Sequence, residues 1–189
     1  MKQAAYCLFE TPLGWCGIAW REGADAGAPY AVISFQLPEA TRKLTESRIL
    51  LNSGATKSGA HSGQTATLCQ RVCQHVKGDL QDFRDVPLDL GEVTLFVRKV
   101  YEAAREIPVG QTVTYAHLAR ALGRPAATRA VGQALARNPI PLIIPCHRVL
   151  AARGKPGGFS APGGRVTKAK LLAIEGAVVN LCLDLTAGA

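Results

Sequence analysis

No apolar run in this sequence of 189 residues reaches the roughly 18 residues that a helix needs to cross a bilayer, which excludes an integral membrane protein. The N-terminus also lacks a secretory signal pattern, because Glu10 interrupts the apolar run that follows Met1-Lys2-Gln3. We therefore expect a cytoplasmic protein. Hydrophobic residues make up 48% and charged residues 19%, which excludes disordered, collagen-like and solenoid chains. The length allows one compact domain or two small ones.

A CxxC pair is also missing from the six cysteines, which are Cys7, Cys16, Cys69, Cys73, Cys146 and Cys182. In a cytoplasmic chain of this size we expect no disulfides, and most of these thiols should be small buried apolar groups. Cys69-x3-Cys73-x-His75 offers metal-ligand chemistry, but it lies in a helix-like run and no second ligand cluster completes a zinc site. The sequence therefore predicts no metal and no cofactor.

Charge is distributed unevenly along the chain, whose net charge is +8. Residues 1–90 carry nine basic and nine acidic side chains, whereas residues 91–189 carry thirteen basic and five acidic ones. This asymmetry predicts two domains that divide near residue 90. The second domain is expected to meet a polyanion such as nucleic acid, and the alternative is a solubilising surface charge.

Short apolar runs in the first half are typical of strands, at residues 6–9, 15–20 and 31–35. Their close spacing predicts an antiparallel meander. Pro38 begins a predicted helix that ends near Leu51, and the Ser- and Gly-rich residues 52–63 are expected to form a loop. A second helix is predicted over 64–77, and residues 79–91 form a linker. The first half is therefore predicted to be an α/β domain.

Helical periodicity dominates the second half, where apolar residues recur at 3–4 spacing over 93–104. Thr114 is placed to cap a helix over 115–122, and Gly123-Arg124-Pro125 separates it from a helix over 126–137. Two short helices joined by a tight turn predict a helix-turn-helix. The seam between them would be formed by four apolar side chains, Leu118, Leu122, Val131 and Leu135.

The second helix of this pair is poor in side-chain bulk. Ala127, Ala130 and Ala134 are expected on one face, with Gly132 nearby and Arg129 projecting from the same region. Such a face lets the helix backbone approach DNA closely without reading base edges, with Arg129 as an inserted wedge. The alternative is helix–helix packing through small residues.

An apolar run then delivers a cysteine beside a histidine and an arginine, in the order Ile-Ile-Pro-Cys-His-Arg-Val over residues 143–149. A thiolate is the nucleophilic form of cysteine, and a neighbouring base generates it. Adjacent strand residues point to opposite sides, so His147 serves Cys146 only if the chain turns there or a water bridges them. The alternative is a buried structural cysteine beside a surface His-Arg pair.

From about residue 96 to residue 176 the chain closely resembles the O6-alkylguanine-DNA alkyltransferases, also called methylated-DNA–protein-cysteine methyltransferases. The matching elements stand in the family's order at nearly its spacing. They are Ile107-Pro108-Val109-Gly110, Thr114-Tyr115, Arg129-Ala130-Val131-Gly132, Asn138-Pro139, Pro145-Cys146-His147-Arg148-Val149, Lys168, Leu171-Leu172 and Glu175-Gly176. Residues 1–90 match only loosely the family's N-terminal domain, a small ribonuclease H-like sheet with flanking helices.

The resemblance implies that Cys146 accepts an alkyl group from O6 of a damaged guanine, or O4 of a thymine, in one in-line displacement. The thioether product is stable, so each chain acts once. His147 would take the thiol proton through a water, and Glu175 would orient His147. Tyr115 resembles the donor to the guanine ring, and Asn138 resembles the residue that holds the active-site turn.

The resemblance also implies a partner and the way in which it binds. The partner is double-stranded DNA, with the small-faced helix in the minor groove and the damaged nucleotide flipped out of the stack. Arg129 would fill the gap, and Ala127, Ala130, Thr114 and Arg148 would contact DNA. The resemblance further implies a monomer with no membrane contact.

The binding loop departs from the family pattern, although its pocket residues can be carried over as Val149, Phe159, Ser160 and Lys168. Phe159 stands where Tyr is usual, and Ala161-Pro162 is an insertion. The insertion enlarges the loop and is surrounded by extra Gly and Pro. We therefore expect the binding loop to tolerate alkyl adducts larger than methyl.

Two alternative functions remain at the level of sequence. A lesion-binding relative without enzymatic activity recognises the same damage but lacks the cysteine, whereas this chain has Cys146. A cysteine hydrolase would turn over small acyl substrates repeatedly and would leave the basic second half without a role.

Overall fold

The computed structural model describes residues 3–22, 29–59 and 63–177, so Cys182 lies outside the described residues. Three strands form the meander that the sequence predicts: β1 (Ala4–Thr11), β2 (Gly14–Glu22) and β3 (Tyr30–Gln36), each antiparallel to the next. Gly14 has a φ of 119°, which permits the tight β1–β2 connection.

The sheet is mixed rather than purely antiparallel, which corrects the prediction. Residues 52–63, expected to be loop, contain the short strand β4 (Lys57–Ser58), which pairs parallel with β1 and gives the order β3-β2-β1-β4. The helix between β3 and β4 carries the chain back to the free edge of β1, where a parallel strand completes the hydrogen bonding. At the other edge, Val32 exchanges backbone hydrogen bonds of 2.9 Å with Pro87 and Asp89 of the linker.

Two helices cover the two faces of this sheet. The first, α1 (Arg42–Ser53), begins four residues later than predicted because Thr41 caps it, accepting a hydrogen bond from the Leu44 amide. Its Ile49 packs in a small cluster with Ala4, Ala19 and Ala55. On the opposite face, α2 (Gly63–Val76) contributes its buried side chains to the main core.

The second half begins with α3 (Leu95–Arg105), β5 (Val113–Thr114) and α4 (Tyr115–Ala121). A 3-10 turn (Pro125–Ala127) leads into α5 (Thr128–Ala136), which therefore starts two residues later than predicted. Then follow β6 (Val149–Leu150), parallel to β5, and α6 (Gly164–Ile174). The expected seam between α4 and α5 is buried at Leu118, Val131 and Leu135, and half-buried at Leu122.

One hydrophobic core runs from the sheet into these helices, with Phe35, Tyr101 and Ile144 among its buried members. The Phe35 amide and the Ser34 hydroxyl both donate to the Pro139 carbonyl, at 3.0 and 3.3 Å. These bonds fix the segment that leads from α5 to Cys146. None of the helices within the described ranges is long and apolar enough to span a bilayer.

Candidate active site

The segment from Asn138 to Cys146 is folded by a side chain that bonds its own loop. Asn138 Nδ2 donates to the Ile144 carbonyl at 2.8 Å, and Asn138 Oδ1 accepts from the Ile140 amide at 2.9 Å. Leu142 is buried inside this loop with a φ of 74°, a strained conformation for a residue with a Cβ atom. Asn138 therefore holds the turn that delivers Cys146, the position that the resemblance implies.

Cys146 opens a single 3-10 turn (Cys146–Arg148), so the chain bends there, which is one of the two arrangements that would let His147 serve Cys146. The residue is 7% exposed. Burial raises the pKa of the Cys146 thiol, whereas the Asn138 amide, the Lys168 ammonium and two backbone N–H groups oppose the rise. The thiol is therefore protonated at rest, and the groups around it favour a thiolate once a base removes the proton.

His147 is completely buried and held by a carboxylate. Its Nε2 lies 2.9 Å from Glu175 Oε1, while Nδ1 has no hydrogen-bond partner among the described residues. Burial lowers the pKa of His147, and the Glu175 carboxylate offsets only part of that effect. A neutral imidazole that donates through Nε2 keeps a free lone pair at Nδ1, which is the form a general base needs.

Glu175 follows the C-terminus of α6 and accepts several hydrogen bonds at once. Its Oε1 lies 2.8 Å from Arg148 Nη2 and 3.1 Å from His75 Nε2, and its Oε2 lies 2.9 Å from Arg148 Nε. Burial acts to raise the pKa of Glu175, but the bonds from His147, His75 and Arg148 outweigh it and lower the pKa. Glu175 is therefore a buried, ionised acceptor.

The position of Arg148 contradicts its expected contact with DNA. Its guanidinium is buried, forms the two bonds to Glu175, and donates through Nη1 to the Ile107 carbonyl at 2.7 Å. A charged group committed in this way is not presented on the surface. Arg148 instead neutralises the Glu175 carboxylate.

His75 belongs to this cluster, although sequence reasoning considered it only as a metal ligand. Cys73, which the sequence grouped with His75 as a metal ligand, does not face the same point. Its Sγ donates to the Glu10 carbonyl, whereas His75 faces Glu175. Within the described residues no group of three or more His, Cys, Asp or Glu side chains is placed to hold a metal. One hundred positions separate His75 from Glu175, so no local pattern could have joined them.

A cleft of about 510 Å³ opens beside the thiol, and its lining includes Cys146, Asn138, Ser160, Phe35 and Glu39. The placement of Ser160 fits its expected pocket position. Phe159, also expected there, is half-buried and packs against the main core.

Two other expected pocket residues lie behind the site. Val149 and Lys168 have no exposed surface, and Lys168 Nζ donates to the Val149 carbonyl at 2.6 Å. Burial lowers the pKa of Lys168 to about 8. Sequence reasoning missed this because an internal carbonyl, rather than a substrate, satisfies the ammonium. Both residues support the site instead of lining it.

Tyr115 stands at the start of α4 beside the binding loop. Its hydroxyl donates to the Gly158 carbonyl at 3.4 Å, and a Cβ atom at Gly157 would lie 3.2 Å from its ring. Burial raises the pKa of Tyr115, so the phenol keeps its proton as a donor must. Thr114 caps α4, accepting from the His117 amide at 3.1 Å, as predicted.

The small-residue face of α5 is narrower than expected. Ala134 is buried in the core, whereas Ala127, in the preceding 3-10 turn, and Ala130 are half-buried. Arg129 is exposed, as the wedge hypothesis requires. Most cations of the second half are also exposed, and these are Lys99, Arg120, Arg124, Arg129, Arg137, Arg153, Lys155, Arg165 and Lys170.

The second half of the chain is similar in sequence to known methyltransferases that act on methylated DNA or O6-methylguanine. Residues 95–177 match the family described as 6-O-methylguanine DNA methyltransferase, DNA binding domain. The chain is 48% identical over 99 residues to the methylated-DNA–protein-cysteine methyltransferase of Methanosarcina acetivorans, an alignment covering 52% of this chain and 61% of that protein. It is 40% identical over 114 residues to the corresponding protein of Metallosphaera sedula, covering 60% of this chain and 69% of the relative.

Solved structures extend the likeness into the first half. The crystal structure of Mycobacterium tuberculosis OGT in complex with DNA superposes with a TM-score of 0.70 at 32% identity, covering 91% of this chain and 92% of that one. The O6-methylguanine-DNA methyltransferase of Pyrococcus kodakaraensis superposes with a TM-score of 0.69 at 28% identity, covering 91% of this chain and 99% of that one.

Proposed function

The chain belongs to the O6-methylguanine-DNA methyltransferase family, and from this premise we propose that it repairs DNA by moving an alkyl group from O6 of a damaged guanine to Cys146. The transfer is irreversible, and each chain acts once. The observation that carries the proposal is the arrangement of the Cys146 turn, in which a neutral buried imidazole is held by the ionised Glu175 carboxylate.

The proposed transfer begins with the thiol proton. His147 Nδ1 takes the proton of Cys146 through a bridging water, and Glu175 stabilises the imidazolium through the Nε2–H bond. The thiolate attacks the alkyl carbon, so that a sulfur–carbon bond forms as the carbon–O6 bond breaks. The electron pair of the broken bond stays on the guanine, which takes up a proton with Tyr115 as a hydrogen-bond donor to the ring. The products are guanine and a Cys146 thioether.

DNA binding is proposed through a helix-turn-helix formed by α4 and α5, with α5 in the minor groove of double-stranded DNA. Exposed cations of the second half would contact phosphates, which selects DNA without selecting a sequence. Arg129 would occupy the gap left by the flipped nucleotide, with Thr114, Ala127 and Ala130 at the contact surface. Flipping costs a few kcal/mol, which these contacts offset.

The division of the chain near residue 90 is part of the same proposal. Residues 1–90 would form a ribonuclease H-like scaffold domain, and residues 91–189 the DNA-binding alkyltransferase domain. The protein is proposed to act as a monomer in the cytoplasm. O4-alkylthymine remains a candidate second substrate.

Stoichiometry tests the proposed function directly. The protein is incubated with an excess of duplex oligonucleotide that carries O6-methylguanine, and the repaired lesions are counted over time. We expect the count to rise to the number of protein chains and then stop. Repeated turnover, as in the hydrolase alternative, would refute the proposal, and so would lesion binding without removal.

A further inference from the structure

The end of α2 places a histidine from the first half against the acidic residue of the active site. His75 has no exposed surface. Both of its ring nitrogens are engaged: the Gln81 amide lies 3.1 Å from Nδ1, and Glu175 Oε1 lies 3.1 Å from Nε2. The stretch that matches the family, residues 95–177, does not include it.

The direction of the Gln81 bond determines where the proton of His75 sits. A backbone N–H can only donate, so Nδ1 of His75 must accept and carries no proton. A neutral imidazole then bears its proton on Nε2 and donates it to Glu175. His75 is thus fixed in one tautomer by a bond from its own half of the molecule.

The same carboxylate oxygen also bonds the other buried histidine, His147. An ionised carboxylate oxygen can only accept, so Glu175 Oε1 accepts from His147 Nε2 as it does from His75 and Arg148. The neutral tautomer of His147 therefore leaves a free lone pair on Nδ1. The bond from His75 helps to keep Glu175 ionised, whereas a protonated Glu175 could donate to His147 Nε2 and place the imidazole proton on Nδ1.

We propose that His75 is a positioning residue for alkyl transfer, holding Glu175 Oε1 so that His147 keeps Nδ1 unprotonated and available to Cys146. The inference rests on the proposed function. It gives the first half of the chain a defined part in the chemistry, because one of the donors to the Glu175 carboxylate comes from α2. The contact is made through Glu175 and not with the substrate.

Substitutions can remove this bond while preserving the packing. The His75 ring packs against Phe83 with centroids 5.4 Å apart, so His75→Phe fills the same space without a donor. His75→Gln keeps a donor and an acceptor on one side chain and can restore both bonds. Val72→Ala, at a buried apolar position on the same helix that offers Glu175 no hydrogen bond, is the matched control for lost stability.

The first readout is the tautomer of His147, observed by nitrogen-15 NMR of the imidazole rings. The chain has only four histidines, which single substitutions assign. In the unsubstituted protein and in Val72→Ala we expect His147 protonated on Nε2 alone. In His75→Phe we expect a mixture of tautomers, and in His75→Gln a return to the single form. An unchanged His147 signal in His75→Phe would overturn the proposal.

The second readout is the single-turnover rate on methylated duplex. We expect His75→Phe to slow transfer by about tenfold or more, and His75→Gln to recover most of the rate. Equal slowing in Val72→Ala and His75→Phe would overturn the positioning role. If the unsubstituted protein transfers no alkyl group, the proposed function fails, whereas the NMR result still decides whether His75 sets the tautomer of His147.

Discussion

In the part of the chain that the structure describes, thiols are buried under the sheet and at the Cys146 turn, and the pKa of Cys16, Cys69 and Cys146 is raised. Under the sheet, Cys16 has Thr11 Oγ1 at 3.8 Å and a pKa raised to about 12, while Cys69 has Cys7 as its hydrogen-bond partner. At the turn, an amide, an ammonium and backbone N–H groups surround Cys146. The comparison teaches that burial by itself favours the protonated thiol, and that its polar neighbours distinguish Cys146, the proposed nucleophile.

Replacing one thiol from each region gives the largest expected effect. Cys146→Ala should reduce alkyl transfer by more than about 10³-fold, because it removes the sulfur proposed to accept the alkyl group, and should leave DNA binding intact. Cys69→Ala should keep transfer. Single-turnover assays and electrophoretic mobility shifts measure the two properties. Transfer that survives in Cys146→Ala would identify another nucleophile and break the comparison.

Removing the charge of Glu175 should weaken the polar surroundings that distinguish the Cys146 turn from the sheet region. Glu175→Gln leaves the Arg148 guanidinium buried without its counter-charge, which should cost about 3–5 kcal/mol in the free energy of unfolding. It also removes the negative charge that stabilises the His147 imidazolium, which should slow transfer by about 100-fold. Urea denaturation and rapid-quench assays measure these changes.

The matched control is Glu46→Gln, at a partly exposed carboxylate that accepts from the Tyr6 hydroxyl at 2.8 Å in the first half. We expect it to cost less than about 1 kcal/mol and to leave the transfer rate unchanged. Similar losses at both sites would contradict the special role of the Glu175 cluster.

Lowering the pH should reduce the free energy of unfolding through the Cys146 turn, because His147 is buried there in its neutral form. Its folded-state pKa lies below its unfolded value of about 6.5, so the unfolded chain takes up the proton first. The free energy of unfolding should therefore fall as the pH drops below about 6.5, by up to about 1.4 kcal/mol per pH unit. Below about pH 4.5, protonation of Glu175 in the unfolded chain should add to the loss.

Two variants separate this contribution from the rest of the chain. Urea unfolding between pH 7 and 5 should show a flatter dependence for His147→Gln, which removes the titrating ring. His117→Gln, at an exposed position on α4, serves as the control and should keep the original slope. An unchanged slope in His147→Gln would mean that another group carries the pH dependence.

A substitution in the DNA-binding half should separate presentation of the lesion from chemistry at the thiol. Arg129→Ala removes the side chain proposed to fill the flipped-out position, and we expect transfer from duplex DNA to slow by about tenfold. Transfer from the free base O6-benzylguanine should be unaffected. Arg165→Ala, at an exposed position on α6, controls for the loss of one charge. Equal slowing with both substrates would place Arg129 in the chemical step.

The smallest expected effect concerns the binding loop beside Ser160. Deleting Ala161-Pro162 should reduce the ratio of benzyl to methyl transfer by a few-fold, because a shorter loop narrows the cleft that both residues line. Parallel rate measurements on the two adducts give this ratio. Undetectable benzyl transfer by the unaltered protein would end the hypothesis of a wide adduct range.

Local features of the sequence were predictable because each depends on near neighbours. Thr114 was identified as a helix cap and caps α4, and the three strands of the meander lie where short apolar runs predict them. At Cys146 the sequence left open a turn or a bridging water, and the structure has the turn. The resemblance implied the pairing of His147 with Glu175, and the two side chains are 2.9 Å apart.

What the sequence could not supply are contacts set by distant packing. The parallel strand β4 is two residues long and needs the free edge of β1 to form. Arg148 looked like a surface cation because its counter-charge, Glu175, lies 27 positions away. His75 looked like a stray ligand for the same reason. A charged residue whose partner is brought close only by folding cannot be distinguished from a surface charge by its neighbours in the sequence.

The most direct test of the central claim is the peptide mass of the protein after reaction with a duplex that carries O6-methylguanine. The account predicts a gain of one methyl group per chain, located on the peptide that contains Cys146, with none on peptides that contain Cys16 or Cys69. Lesion removal that leaves Cys146 unmodified, or a methyl group on a thiol of the sheet region, would contradict it.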